Sequence, residues 1–221
     1  MPSTHDSAAR ADSLVRRAHA RAYRYPGGFE GFRAELAWRT DDASGTGAVL
    51  ARTGPEVELQ GESGEEAPDW VVKELRSIVG HRQFSEYETG DGAHEKQLAA
   101  TGHVLGETVE LGDSLEFSYR VAGDEISTVT RTMGGRRFTI VVHDRFVVPD
   151  GRAVPTSFSV FYWDAETGAL TATEAYRDAV VDVDGIFLPS SRRVVRGDGD
   201  GLSVRELDLA EHSLLAVAVA P

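Results

Sequence analysis

EISTVTRTMGGRRFTIVVHDRFVVPDGRAVPTSFSVFYWDAETGAL, running from Glu125 to Leu170, decides the fold of this chain. Runs rich in β-branched and aromatic residues are broken by Gly134-Gly135, by Pro149-Asp150-Gly151 and by the polar turn from Asp164 to Gly168. Glycine adopts positive φ at little cost and proline pre-sets the first turn residue, so each break is a chain reversal with a mechanism. The stretch predicts a twisted antiparallel meander. It carries no assembled catalytic motif.

The same alternation extends outward in both directions. Upstream, Leu115, Phe117, Tyr119 and Val121 alternate with Glu116, Ser118 and Arg120. Downstream, strands are predicted over Ala172 to Val183, Phe187 to Arg196 and Leu202 to Leu209, with turns at Asp184-Gly185 and Gly197 to Gly201. Near the N-terminus, Phe32, Ala34, Leu36 and Trp38 alternate with polar residues, and Ala48 to Ala51 and Glu56 to Gln60 form a hairpin about Thr53-Gly54-Pro55. Two segments have helical spacing instead. Leu14, Val15, Ala18 and Ala22 form one stripe between Asp6 and Arg24, ended by Pro26-Gly27-Gly28. Val71, Val72, Leu75, Ile78 and Val79 form another, with Pro68 as a tolerated first residue and Gly80 as the stop. The whole of 1–221 is expected to be one domain, with a disordered tail over about residues 1–6.

Formal charge is −13 and only Lys73 and Lys96 are lysines, so no basic face is available to neutralise phosphates. Nucleic acid and anionic membrane surfaces are therefore disfavoured partners. No cysteine is present, which excludes disulfides, thiolate metal sites and a cysteine nucleophile. No apolar run approaches the ~18–20 residues of a membrane span, and the N-terminus lacks a secretory signal pattern. A cytoplasmic protein is expected.

Short motifs dissolve on inspection. Gly112-Asp113-Ser114-Leu115 spells an esterase signature, but it opens an alternating strand, and Asp208 and His212 are spaced wrongly to complete it. His94-Glu95 begins a zincin-like motif whose second histidine is replaced by Leu98. Asp182 to Gly185 and Asp198 to Gly201 are hairpin turns without full calcium-loop spacing. No cofactor and no metal is expected from local motifs. Arginine is more informative: Arg131, Arg136, Arg137, Arg145 and Arg152 cluster in an acidic chain, and Arg131 shares a strand face with Val129 and Met133. Such a guanidinium needs either an internal carboxylate or an anionic ligand. The strand Ser157 to Trp163 is apolar on both faces at its end, with Phe161 and Trp163 on one and Tyr162 on the other. Either a helix or a cavity must cover the second face, and the helix is the favoured account.

Several segments together resemble a family of unknown function, numbered thirty-three eighty-six, known from cyanobacteria, plant plastids and other bacteria. They are His81-Arg82, Tyr119-Arg120-Val121, the run from Arg131 to Ile140, Gly151 to Pro155, the block from Phe158 to Gly168, and Leu188-Pro189. The resemblance covers about residues 10–215 and implies no catalytic residues. The order of elements also resembles the lipoprotein-carrier fold. The expected class is α+β: a strongly curved, mostly antiparallel sheet of about eight to eleven strands, a half-open barrel with two packed helices.

The functional expectation is a soluble, non-catalytic protein enclosing a small apolar or amphipathic ligand, with His81, Arg82, Arg131 and Trp163 at the mouth of the cup. Phe138, Ile140, Val142 and Phe146 are expected to be buried with Phe158, Val160 and Tyr162. One alternative is a histidine-centred, possibly metal-dependent enzyme using His81, His103 or His143. Another is a structural or assembly factor acting through an exposed apolar patch. Sequence gives no oligomeric state.

Overall fold

The computed structural model describes residues 4–54, 56–64, 67–99, 102–112 and 117–215. Helix α1 spans Thr4–Arg21 and α2 spans Asp69–Gly80. The strands are β1 (Gly31–Thr40), β2 (Ser44–Arg52), β3 (Glu56–Gly64), β4 (Lys96–Leu98), β5 (Glu107–Leu111), β6 (Ser118–Ala122), β7 (Glu125–Met133) and β8 (Arg136–Val147), followed by β9 (Ala153–Asp164), β10 (Leu170–Val183), β11 (Ile186–Asp198) and β12 (Gly201–Leu214). They form one antiparallel sheet in the order β3-β2-β1-β12-β11-β10-β9-β8-β7-β6-β5-β4, with β3 and β4 as its edges. Twelve strands exceed the eight to eleven expected, in part because the edge strand β4 is three residues long with no apolar alternation to announce it.

The meander turns where its glycines require it. Gly134 and Gly135 have φ of 58° and 74°, so β7 and β8 close through a two-residue turn that pairs Met133 with Arg136. Gly151 at 90° and Gly168 at 70° terminate the reversals on either side of β9. Leu115 and the rest of Asp113 to Glu116 lie outside the described residues, as does Pro55 in the β2–β3 turn.

Two compact units share these elements. The first comprises Met1–Tyr23, Ser85–Ala175 and Arg196–Leu202; the second comprises Arg24–Phe84, Tyr176–Val195 and Ser203–Pro221. In unit one, α1 packs on β4, β6 and β7. Its stripe of Ala11, Leu14, Val15 and Ala18 is buried against Val109, Leu111, Tyr119 and Val121, with Leu98 and Val129 at the margin. Arginines on its outer side reach the surrounding strands and loops: Arg10 pairs with Glu107, Arg16 with Glu88 at 2.6 Å and Arg17 with Asp124 at 2.7 Å. Beneath it, the buried Lys96 Nζ lies 3.2 Å from Asp12 Oδ1 and donates to the His94 carbonyl, while Tyr87 Oη donates to the same Asp12 oxygen at 2.6 Å.

Unit two has its own helix against its own strands. Of the predicted α2 stripe, Val71, Leu75, Ile78 and Val79 are buried, and α2 lies on β3. Pro68 stands just before the helix as its N-cap. Phe32, Ala34, Leu36 and Trp38 are buried on alternate positions of β1. Trp38 lies over Gly45, where an added Cβ would come within 2.7 Å of the indole. Arg192, 4% exposed, donates Nε and Nη2 to the two oxygens of Asp178 at 2.8 and 2.6 Å, and Nη1 to Glu74 at 2.8 Å. A planar fork matched to two carboxylates is the geometry in which guanidinium can be buried.

One packing expectation fails in part. Val160 is buried, but Phe138, Ile140, Val142, Phe158 and Tyr162 are half-buried, and Phe146 is exposed. Register shifts on both sides of Asp144 interrupt the β8–β9 ladder, so the alternation that aligns Phe138, Ile140 and Val142 does not carry through to Phe146.

Candidate functional site

The face of unit one covered by α1 can be followed across the sheet by register. Val109 pairs with Tyr119, Tyr119 with Val129, and Val129 with Ile140, which pairs with Val160. Directly opposed residues point to the same face. Arg131, Phe138 and Tyr162 form the neighbouring row of that face, and Val142 with Phe158 lies beyond Ile140 on the other side. The β4–β7 part of the face lies under α1, whereas Phe138, Ile140 and Val142 on β8 and Phe158 and Tyr162 on β9 keep partial exposure around the buried Val160. This stripe is apolar along β8 from Phe138 to Val142.

Arg131 stands at one end of this stripe. Its guanidinium lies 4.2 Å over the Phe117 ring, and its Nε is buried without a hydrogen-bond acceptor. Among the described residues it has no ion pair. Its neighbours in the arginine cluster differ: Arg145 lies 3.2 Å from Glu125, and Arg152 donates to Asp150 at 2.8 Å. Arg136, opposite Asp164, sits 5.7 Å over the Tyr162 ring, and Tyr162 Oη donates to Glu174 at 2.8 Å. Phe117 also lines a cavity of about 460 Å³ bounded by Lys96, Gln97, Glu110 and Leu111.

Trp163 does not join Arg131. It pairs with Arg137, which pairs with Thr132, so this row lies one residue out of phase with Arg131, Phe138 and Tyr162. The two side chains are on opposite faces of the sheet. Trp163 stacks on Phe161 at 5.9 Å on the face that α1 does not cover. The favoured helix cover is therefore absent there among the described residues of unit one. His81 and Arg82 belong to unit two, at the end of α2. His81 Nδ1 lies 3.5 Å from Ser77 Oγ, and the Arg82 carbonyl accepts the Tyr25 N–H at 2.7 Å. The Arg82 side chain is buried, with Nη1 lacking an acceptor.

Histidine chemistry finds little support. His103 Nδ1 accepts the Leu105 N–H within its own turn. His143 Nε2 lies 2.9 Å from Ser159 Oγ at an exposed position, but no described hydrogen bond fixes the other ring nitrogen as a base would need. Among the described residues no group of three His, Asp or Glu is arranged to hold a metal ion. No described helix is long and apolar enough to cross a membrane. The residues missed from sequence are Lys96, Asp12 and Tyr87. Lys96 being one of two lysines was the available signal.

Comparison with curated proteins finds no match. Among solved structures, the chain is similar to a DUF1329 family protein from Desulfovibrio piger ATCC 29098, at 9% identity and a TM-score of 0.30, covering 97% of this chain and 95% of that one. It is also similar to a domain named for outer membrane lipoprotein sorting from Vibrio parahaemolyticus, at 10% identity and a TM-score of 0.32, covering 95% and 94%. Likeness at this level carries no inference about ligand or activity. Residues 6–215 match the family described as Protein of unknown function (DUF3386), and the chain belongs to that family.

Proposed function

We propose that this protein binds a small amphipathic molecule on the helix-covered face of unit one, with the molecule's body along Phe138, Ile140 and Val142. The observation that carries the reading is the continuity of that face. Its β4–β7 part is sealed by α1, while on β8 Phe138, Ile140 and Val142 stay half-buried, and the row ends at an arginine without an ion pair among the described residues. Partly apolar surfaces with few placed polar groups are what small-molecule sites use. The reading is binding without chemistry.

Native mass spectrometry of protein purified from its own host tests this, together with thermal unfolding in the presence of decanol or decanoate. A co-purifying small molecule and stabilisation by either probe are expected. Ile140→Asp should remove the stabilisation, while Val141→Asp, on the opposite face, should retain it. Repeated recovery of bare protein that neither probe stabilises would overturn the reading.

A further inference from the structure

Resting on that binding reading, we infer that the ligand is a single-chain monocarboxylate of medium length, with its head on Arg131. The stripe sets the length. Phe138 to Val142 is four residue steps along β8, and at ~3.4 Å per step this is about 14 Å, the reach of a medium acyl chain. Phe138, Ile140 and Val142 occupy one line along the strand, with Val160 and Phe158 beside them on β9. An extended single chain can follow such a line along one strand.

The head group follows from Arg131. One face of its guanidinium is taken up by the Phe117 ring at 4.2 Å, which leaves the in-plane edge as the direction for hydrogen bonding. The nitrogen buried without an acceptor is Nε, and Nε–H with an adjacent Nη–H makes up one in-plane edge of the guanidinium. Two parallel N–H donors match the two oxygens of a planar carboxylate. Charge counts in the same direction. Arg131 offers a single positive charge, and the next cation on this face, Arg136, already has Asp164 opposite it in register. One charge without an ion pair among the described residues balances a monoanion and would leave a dianionic phosphate half-neutralised.

Isothermal titration at pH 8 and fixed ionic strength, comparing decanoate, decanol and decyl phosphate, tests the assignment. Charge-assisted hydrogen bonds of about 1.5–3 kcal/mol correspond to at least about tenfold tighter binding of decanoate than decanol. Decyl phosphate should bind more weakly than decanoate. Arg131→Leu, or Arg131→Gln should the first variant not fold, should abolish the preference while decanol affinity stays within about twofold. Equal binding of decanoate and decanol to the parent protein overturns the carboxylate assignment and leaves the binding reading intact. Tighter binding of decyl phosphate, or a preference that survives in the Arg131 variants, also overturns it. Failure of all three probes to bind removes the underlying reading itself.

Discussion

Single residues in this protein divide into those whose environment forces them and those whose environment merely permits them. Gly45 is forced. A methyl group there would meet Nε1, Cε2 and Cζ2 of Trp38 at 2.7–2.8 Å, and Trp38 is itself buried. Gly45→Ala should therefore cost about 1–3 kcal/mol by overpacking, read from a urea titration. An unchanged midpoint would mean that the indole can move aside. Asp178 is forced for an electrostatic reason. Deleting its carboxylate removes the two-oxygen partner of the buried Arg192 guanidinium, and breaking a buried pair from one side costs about 3–5 kcal/mol. Arg39, paired with Glu206 on the surface, provides the contrast, since exposed pairs contribute little. Arg39→Ala should leave the unfolding midpoint where it is. If both variants lost the same stability, the buried network would not have the weight assigned to it.

Elements show where sequence reasoning reaches and where it stops. The meander was legible because Gly134-Gly135, Gly151 and Gly168 announce their turns through backbone geometry, and α2 was legible because its stripe is buried nearly residue for residue. The candidate site was legible only halfway. Arg131 could be placed among apolar neighbours from β7 alone, but its separation from Trp163 depends on two registers in succession, 131 with 138 and 138 with 162. Alternation within one strand says nothing about phase against the next. The interruption at Asp144 is invisible for a related reason, since a bulge leaves no compositional mark in a run such as Val141 to Val147. The fastening of α1 was also hidden, because Asp12, Tyr87 and Lys96 are far apart in sequence. That fastening is sensitive to pH. Burial pushes the Asp12 carboxyl up, but the Tyr87 and Lys96 hydrogen bonds and the charges of Lys96 and Arg16 outweigh it, so the folded value lies below the ordinary carboxylate range. A group depressed by folding stabilises above its unfolded pKa, about 3.9 for aspartate, and loses that contribution as pH falls through the folded value. The difference in urea midpoint between the parent and Asp12→Asn should thus be present at neutral pH and close as pH falls below about 4. A difference that persists unchanged into acid would show that Asp12 acts through shape alone. Tyr87 bears on the opposite limb. Burial and the hydrogen bond to Asp12 raise its phenol well above the ordinary value, so its contribution is complete below pH ~10 and is lost as pH rises further.

At the scale of the whole chain, each unit has a helix on its own strands, yet three strands belong to both. β10 passes from unit one to unit two between Ala175 and Tyr176, β11 returns between Val195 and Arg196, and β12 crosses again between Leu202 and Ser203. Unfolding one unit would require three strands to lose order over part of their length while the rest of each strand kept its ladder. Backbone hydrogen bonds cut there would lose their partners without any turn or loop to absorb the break. Cooperativity across both units follows, and we propose that the chain behaves as a single folding domain. Asp178→Ala provides the measurement, because Asp178 and its partners Arg192 and Glu74 all lie in unit two. Native-state hydrogen exchange sorts amides by the opening that exposes them. The most protected amides of α1, in unit one, should lose the same protection as those of α2, about 3–5 kcal/mol if the buried pair has its usual worth. Calorimetry should accordingly show one transition whose measured and van't Hoff enthalpies agree. Full protection retained in α1 while α2 exchanges faster would show two independently folding units joined by three continuous strands.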